Sequence, residues 1–177
     1  MLRAVIFAVA LVSIPKGLFA ATNHGYFGVF GGALLIDGID VERARPLIYT
    51  LGYRMNSLWA FQFEYSDTQP FQGIVSNDNH TTFLHDIEYT TSGAYLMFVQ
   101  PMGRWVDFNI KYGYIQANYS FNKPNLQDYS KERFSFSGKS YGGGVTLKMT
   151  NSLALTVDYT KFRTDTVQLS AGVEFDL

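Results

Sequence analysis

Apolar and polar residues alternate with a period of two along most of this chain, and that pattern constrains the fold more than any other feature. The last segment shows it best, with one face formed by Val167, Leu169, Ala171, Val173, Phe175 and Leu177. Because successive side chains of a β-strand point to opposite faces, this alternation predicts strands. After residue 20 the chain has no run of 18 apolar residues, so the sequence contains no further candidate for a membrane-spanning helix.

The alternation recurs often enough to predict eight strands. They cover approximately residues 26–35, 47–54, 59–66, 86–99, 106–114, 141–149, 153–160 and 167–177. In the fourth segment we take Ile87, Tyr89, Tyr95, Met97 and Val99 as the apolar face. Short turns are predicted at 55–57, 101–103, 150–152 and 163–165, and longer polar loops at 37–46, 67–82 and 122–132. Short turns that largely alternate with longer loops are typical of outer-membrane barrels.

The polar faces of these strands carry charges of both signs in mid-strand. These residues are Arg54, Glu64, Glu88, Asp107, Lys111, Lys148, Asp158 and Glu174. The period alone fits a soluble barrel with charges outside and a membrane barrel with charges inside. In the second case we predict an ion-pair network that crosses the lumen, because charges inside a narrow barrel must be paired or hydrated.

Aromatic residues near the strand ends favour the membrane case. The short-turn end has Tyr53, Trp59 and Phe175, and the loop end has Tyr65, Tyr89, Tyr114 and Tyr159. Two aromatic belts are expected where a lipid-embedded barrel meets the two interfaces. The sequence therefore predicts an all-β protein, a closed eight-stranded antiparallel up-and-down transmembrane β-barrel.

The first twenty residues differ from the rest of the chain. Arg3 precedes an apolar stretch over residues 4–14, and small residues follow at Ala20 and Ala21. This pattern predicts a secretory signal peptide over residues 1–20 and a barrel domain over 21–177. A single membrane anchor is the alternative, although the apolar stretch is shorter than the ~20 residues that span a bilayer.

Several kinds of chemistry are excluded or disfavoured. The chain has no cysteine, and its net charge of −1 gives no electrostatic case for nucleic acid. The histidines at 24, 80 and 85 are too scattered to predict a metal site, and no cofactor is expected. A Ser-His-Asp site built from Ser76, Asp78 and Asp86 with His80 or His85 is weak, because the adjacent His85 and Asp86 point to opposite faces of a strand. We therefore expect a protein that is not an enzyme.

The end of the chain carries a family resemblance. The residues Ser170, Gly172, Phe175 and Leu177 resemble the C-terminal signal read by the outer-membrane assembly machinery, and residues 140–145 and 150–159 resemble the closing strands of small barrels. The family is that of the OmpA transmembrane domain, OmpX and the opacity proteins. The resemblance implies a protein of the bacterial outer membrane, and we expect a monomer that contacts outer-membrane lipids, including lipopolysaccharide. The even number of predicted strands puts both termini on the short-turn side, which would be the periplasm.

The expected role is structural or adhesin-like, through loops 37–46, 67–82 and 122–132, which would meet a host or surface ligand. The first alternative is a narrow porin-like channel or a conduit for small hydrophobic molecules. Tyr26, Phe30 and Leu34 support it, because they lie on the inward phase of the first strand. A lipid-modifying enzyme and a soluble periplasmic barrel of the lipocalin type are the remaining alternatives.

Overall fold

The computed structural model describes residues 23–36, 40–41, 44–77, 80–124, 129–162 and 166–177. The described residues form ten strands: β1 (His24–Ile36), β2 (Asp40–Val41), β3 (Pro46–Arg54), β4 (Trp59–Thr68), β5 (Phe71–Asn77), β6 (His80–Pro101), β7 (Val106–Pro124), β8 (Tyr129–Lys148), β9 (Leu153–Phe162) and β10 (Thr166–Asp176). In this part of the chain no helix is long and apolar enough to cross a membrane. The predicted signal peptide and the predicted turn at 163–165 lie outside the described residues.

Eight of these strands close into a barrel. Each wall strand pairs antiparallel with the next one along the chain, in the order β1, β3, β4, β6, β7, β8, β9 and β10. The last strand, β10, then pairs with β1 and completes the ring. Strands β2 and β5 stand outside the ring, where β5 pairs with both β2 and β6. The predicted closed, antiparallel, up-and-down barrel of eight strands is confirmed.

The two faces of the wall have opposite polarity. On β4 burial alternates residue by residue, with Gln62, Glu64 and Ser66 buried inside while Phe61 and Phe63 are exposed outside. A polar interior inside an apolar outer wall is the reverse of a soluble protein, and it is stable where hydrocarbon surrounds the wall. Closure leaves no unpaired strand edge in that wall, which hydrocarbon requires.

Two inward glycines make room for large side chains in the narrow lumen. A Cβ atom added at Gly52 would collide with the ring of Tyr26. One added at Gly172 would collide with the backbone at Val29 and Phe30 and would crowd the Phe30 ring. The glycine-rich strands therefore allow aromatic side chains to fill an eight-stranded barrel that is otherwise too narrow for them.

The three short turns at one end of the barrel are confirmed. Between β3 and β4, the Asn56 Oδ1 atom accepts hydrogen bonds from the backbone N–H groups of Leu58 and Trp59, both at 2.9 Å. Between β6 and β7, Gly103 has a φ of 89°, which other residues rarely adopt. The first residue of β1, His24, and the last residue of β10, Asp176, lie at this same end of the wall, because their pairing partners do.

The predicted inward and outward faces of β6 are wrong. Ile87, Tyr89, Tyr95, Met97 and Val99 are buried inside the barrel and do not face lipid. Leu96 is exposed on the outer wall instead. Both faces of this strand are apolar near its end, so alternation alone does not distinguish them.

All three predicted loops contain strands. The region 37–46 contains the two-residue strand β2. In the region 67–82, β5 forms a hairpin with the start of β6, and Asn77 pairs with His80. In the region 122–132, β7 and β8 continue their pairing as far as Pro124 and Tyr129. The loop end of the barrel is thus an extended sheet formed by β2 and β5 to β8.

Candidate functional site in the lumen and at the loop end

A buried cation occupies the middle of the lumen. The Lys111 Nζ atom lies 2.9 Å from Glu64 Oε2 and 3.2 Å from Asp158 Oδ2. The Gln168 Nε2 group donates a hydrogen bond to Glu64 Oε1 at 3.1 Å. Lys111 also lies 5.1 Å from the centre of the Tyr95 ring, close enough for a cation–π contact. This cluster joins five wall strands, β4, β6, β7, β9 and β10, across the lumen.

A second ion-pair cluster lies nearer the short-turn end. Asp107 is buried and accepts contacts from Lys148 Nζ at 2.7 Å and from Arg54 Nη1 at 3.6 Å. Two cations around one carboxylate compensate for its removal from water. Arg54 also lies 5.6 Å from the centre of the Tyr26 ring. The short-turn mouth of the lumen is therefore occupied by charged side chains that contact each other.

Tyr26 joins side chains that lie in the lumen between these two clusters. Its hydroxyl donates to Gln62 Oε1 at 2.8 Å and lies 3.3 Å from Met97 Sδ. Tyr26 is almost fully buried, so its polar end needs such a partner. Tyr26, Gln62 and Met97 are uncharged, so a prediction of the lumen network from charged residues alone does not include them.

Aromatic residues fill the loop end of the lumen. The ring of Tyr89 lies 4.4 Å from that of Tyr119, which in turn stacks 5.6 Å from Phe136. Thr68 Oγ1 accepts a hydrogen bond from the Tyr89 backbone N–H at 2.9 Å and donates to its carbonyl at 3.1 Å. Tyr89 was predicted to lie in an interfacial belt; that prediction is wrong, since its exposed fraction is 0%.

Six of the eight predicted lumen charges form the two clusters, and the other two do not. Glu174 is buried in the lumen, but no cation of the described residues lies within 4.0 Å of its carboxylate. Glu88 lies on the outward phase of β6, where it accepts a hydrogen bond from Ser120 Oγ at 3.0 Å. The assignment of Glu88 to the lumen is therefore wrong. The cause is the same as for Tyr89: the inward and outward faces of β6 are the reverse of those predicted.

The other predicted aromatic residues lie on the outer wall. Trp59, Tyr65, Tyr114, Tyr159 and Phe175 are exposed there, and Tyr53 is partly exposed. Further aromatic residues outside the two predicted belts are exposed on the same wall, including Tyr49, Tyr112 and Tyr141.

Three residues of the predicted assembly signal lie on β10, and Leu177 directly follows it. Ser170 and Gly172 are on its inward face, whereas Phe175 and Leu177 face outward at the short-turn end. Their role in assembly remains a prediction.

The loop-end sheet, formed by β2 and β5 to β8, is the second candidate site. Strands β6, β7 and β8 contain 22, 19 and 20 residues, whereas β3, β4 and β9 contain 9, 10 and 10. A tilted span needs only ~9–11 residues, so the long strands continue past the wall. Phe134 on this extension is 56% exposed.

The candidates for catalysis and metal binding lie mostly outside the described residues. This applies to Asp78 and to the side chains of Ser76, His80, His85 and Asp86. His24 is described, and its Nε2 atom lies 3.3 Å from Asp176 Oδ1 at the short-turn end. Among the described residues there is no group of three or more potential metal ligands.

A closed eight-stranded wall with an apolar exterior and a charged, filled interior defines a transmembrane β-barrel of the outer-membrane type. Residues 5–176 match the family described as outer membrane protein beta-barrel domain, and the chain belongs to that family. The family places the protein in the bacterial outer membrane. A search of curated proteins gave no significant match.

Solved structures share the fold. Ail of Yersinia pestis, in complex with the heparin analogue sucrose octasulfate, is 15% identical, with a TM-score of 0.60 over 90% of this chain and 100% of that one. Neisserial surface protein A is 16% identical, with a TM-score of 0.61 over 90% and 100%. OprG of Pseudomonas aeruginosa is 14% identical, with a TM-score of 0.62 over 89% and 96%. At these identities the likeness shows the fold alone.

Proposed function

We propose that this protein is a non-enzymatic, adhesin-like barrel that binds an extended segment of a partner protein at its loop-end sheet. One observation carries the proposal: β6, β7 and β8 continue as paired strands well beyond the wall. The short turns and both termini then lie in the periplasm, since short turns are periplasmic in barrels of this type. The loop-end sheet faces the medium, where it meets other surfaces.

The edge of β8 offers the contact. Over residues 129–139, β8 pairs with β7, while its pairing with β9 begins only at Ser140. In the described part of the chain, the other edge of that stretch has no strand beside it. An open edge presents unpaired backbone groups and is a template for an added strand.

The hydrogen-bond phase shows which residues present their backbone to that edge. The Lys148 N–H donates to the Trp105 carbonyl, on the β7 side. Because the β7–β8 register is unbroken, even-numbered residues of β8 bond to β7 and odd-numbered ones face the other way. The N–H of Ser135 therefore points to the open edge.

The filled lumen favours this role over a channel. An eight-stranded barrel has an interior just wide enough for its own side chains. Here the side chains include the buried Lys111 cluster in the middle and the Tyr89 stack above it. Tyr26, Phe30 and Leu34 are inside as expected, but they help to fill the lumen. Solute passage would require several of these contacts to break.

A single substitution tests the edge. Ser135→Pro removes the N–H at the open edge and keeps the pairing with β7, whereas Ser135→Ala is the matched control. Non-adherent Gram-negative cells that display each variant are counted on epithelial monolayers, with heat-modifiable migration on gels as the folding check. We expect Ser135→Pro to reduce attachment about ten-fold or more, and Ser135→Ala to leave it unchanged.

Further arms separate the alternatives. Trypsin treatment of the monolayer should abolish attachment, because the proposed partner is a protein. Replacement of residues 121–132 by Asn-Gly should do the same while the barrel stays folded. Attachment that survives Ser135→Pro, or that sucrose octasulfate blocks while Ser135→Pro does not, overturns the strand-addition proposal.

A further inference from the structure

A shallow groove crosses the lipid-facing wall where β1, β9 and β10 meet. Its volume is about 450 Å³, and it is lined mainly by apolar atoms of Gly31, Ala33, Val157, Leu169 and Ala171. Along one row of the wall, Leu47 pairs with Gly31, Gly31 with Ala171, and Ala171 with Val157.

Small residues create this groove. A Cβ atom added at Gly31 would have no atom within 4 Å, so the space above it is open. Gly31 and Ala171 lie side by side between the larger Leu47 and Val157, and the surface is depressed between them. Since the wall faces hydrocarbon, acyl chains of lipid are the molecules that can enter.

A cation borders the loop end of the groove. The bridge between Leu34 and Ala44 continues the register of β1 with β3, and it places Arg45 opposite Ala33. Arg45 is exposed and forms no ion pair with a described residue. A guanidinium on a lipid-facing wall must reach the headgroup layer, where phosphates are the anions.

We infer that the groove is a docking site for one molecule of lipid A, with an acyl chain over Gly31 and Ala171 and a phosphate against Arg45. The inference rests on the orientation in the proposed function, which places the loop end in the outer leaflet. Lipid A of lipopolysaccharide is the phosphorylated lipid of that leaflet. Its acyl chains complement the apolar groove, and its phosphates complement the cation. The sequence led us to expect contacts with lipopolysaccharide, and this inference proposes where on the wall one such contact lies.

Native mass spectrometry of the detergent-refolded full chain tests the site, with purified lipid A as the probe. Gly31→Leu fills the groove and Arg45→Gln removes the cation. The matched controls are Ala94→Leu, on the outer wall between Phe63 and Tyr114, and Lys139→Gln, an exposed cation on β8. We expect each test variant to bind lipid A about ten-fold more weakly than the wild type, and both controls to bind as the wild type does.

Two further probes decide between lipid sources. Dephosphorylated lipid A should bind weakly and without dependence on Arg45. Phosphatidylglycerol that binds as tightly as lipid A, with the same dependence on both variants, overturns the choice of lipid A. Unchanged lipid A binding by Gly31→Leu and Arg45→Gln overturns the site itself.

These failures are distinguishable from failure of the proposed function. Neither test variant touches the β8 edge, so the attachment assay with Ser135→Pro reads out independently. Antibody labelling of a tag inserted at 125–128 on intact cells tests the orientation alone, and an inaccessible tag would contradict both proposals.

Discussion

Lys111 and Glu64 are in contact at 2.9 Å although they belong to strands that are not neighbours, since β6 lies between β4 and β7. The same ammonium group reaches Asp158 on β9, with β8 between. In the order of the barrel, β4 and β9 lie on opposite sides. One lysine thus bridges two carboxylates across the full width of the lumen.

Replacement of Lys111 by Met should destabilise the barrel strongly. Lys111 is only 1% exposed, and its loss leaves Glu64 and Asp158 buried without their cation. Removal of one partner from a buried ion pair costs about 3–5 kcal/mol. Urea unfolding in lipid vesicles, followed by the fluorescence of Trp59 and Trp105, measures the change. Lys139→Met is the exposed control, and an unfolding midpoint for Lys111→Met equal to that of the wild type would contradict a stabilising network.

The same cluster predicts that the wild-type barrel does not conduct ions. Side chains held by contacts on several strands block the lumen at two levels, around Lys111 and around Asp107. The measurement is ion conductance of refolded, heat-modifiable protein in a planar lipid bilayer. A folded but silent barrel is the expected result. Steady openings of defined size would support the channel hypothesis and show that the contacts in these clusters break.

A second stability measurement tests whether Tyr89 lies in the interior of the barrel or at the membrane interface. Its ring is fully buried against Tyr119, and truncation of a buried aromatic side chain costs about 3–5 kcal/mol. Tyr114, 56% exposed on the outer wall, is the comparison. Tyr89→Ala should therefore lower the free energy of unfolding in lipid vesicles far more than Tyr114→Ala. Equal losses would support the interfacial position that the sequence suggested for Tyr89.

The sequence predicted the eight strands of the wall, their closure and most of their inward and outward faces, because charged residues mark the inward face. Where a strand has Glu64, Lys111 or Asp158 in its middle, its phase is determined. On β6 the described central positions carry no charge, and Tyr95, Met97 and Val99 are as apolar as Leu96. The period of two therefore could not show which face of β6 is inward, and only burial within the barrel shows it.

The missing information was nevertheless present in a neighbouring strand. Residues directly opposite each other on antiparallel strands share a face. Asp107 and Lys111 are inward, and they pair across the short turn with Pro101 and Met97. Propagation of this register would have placed the odd-numbered residues of β6 inside. The clusters themselves could not be predicted, because they depend on contacts between strands that do not pair.

Gly52 should tolerate no larger residue unless Tyr26 is also changed. A Cβ atom at position 52 overlaps the Tyr26 ring, and forced overpacking costs about 1–3 kcal/mol. Gly52→Ala should therefore reduce the stability, and Tyr26→Leu should relieve the overlap. In a double-mutant cycle, the loss in the double variant should be smaller than the sum of the two single losses. Strictly additive losses would show that the two residues do not share this space.

Gly103 tests the turn between β6 and β7 without any change in packing. Its φ of 89° lies in the left-handed region, and an added Cβ atom would have no atom within 4 Å, so only the backbone opposes a substitution. Gly103→Ala should cost about 1–2 kcal/mol, and Gly103→Asn should cost less because asparagine tolerates such angles better. The free energy of unfolding in lipid vesicles gives both values. A larger loss for Gly103→Asn than for Gly103→Ala would indicate that the turn requires glycine for a reason other than its backbone angle.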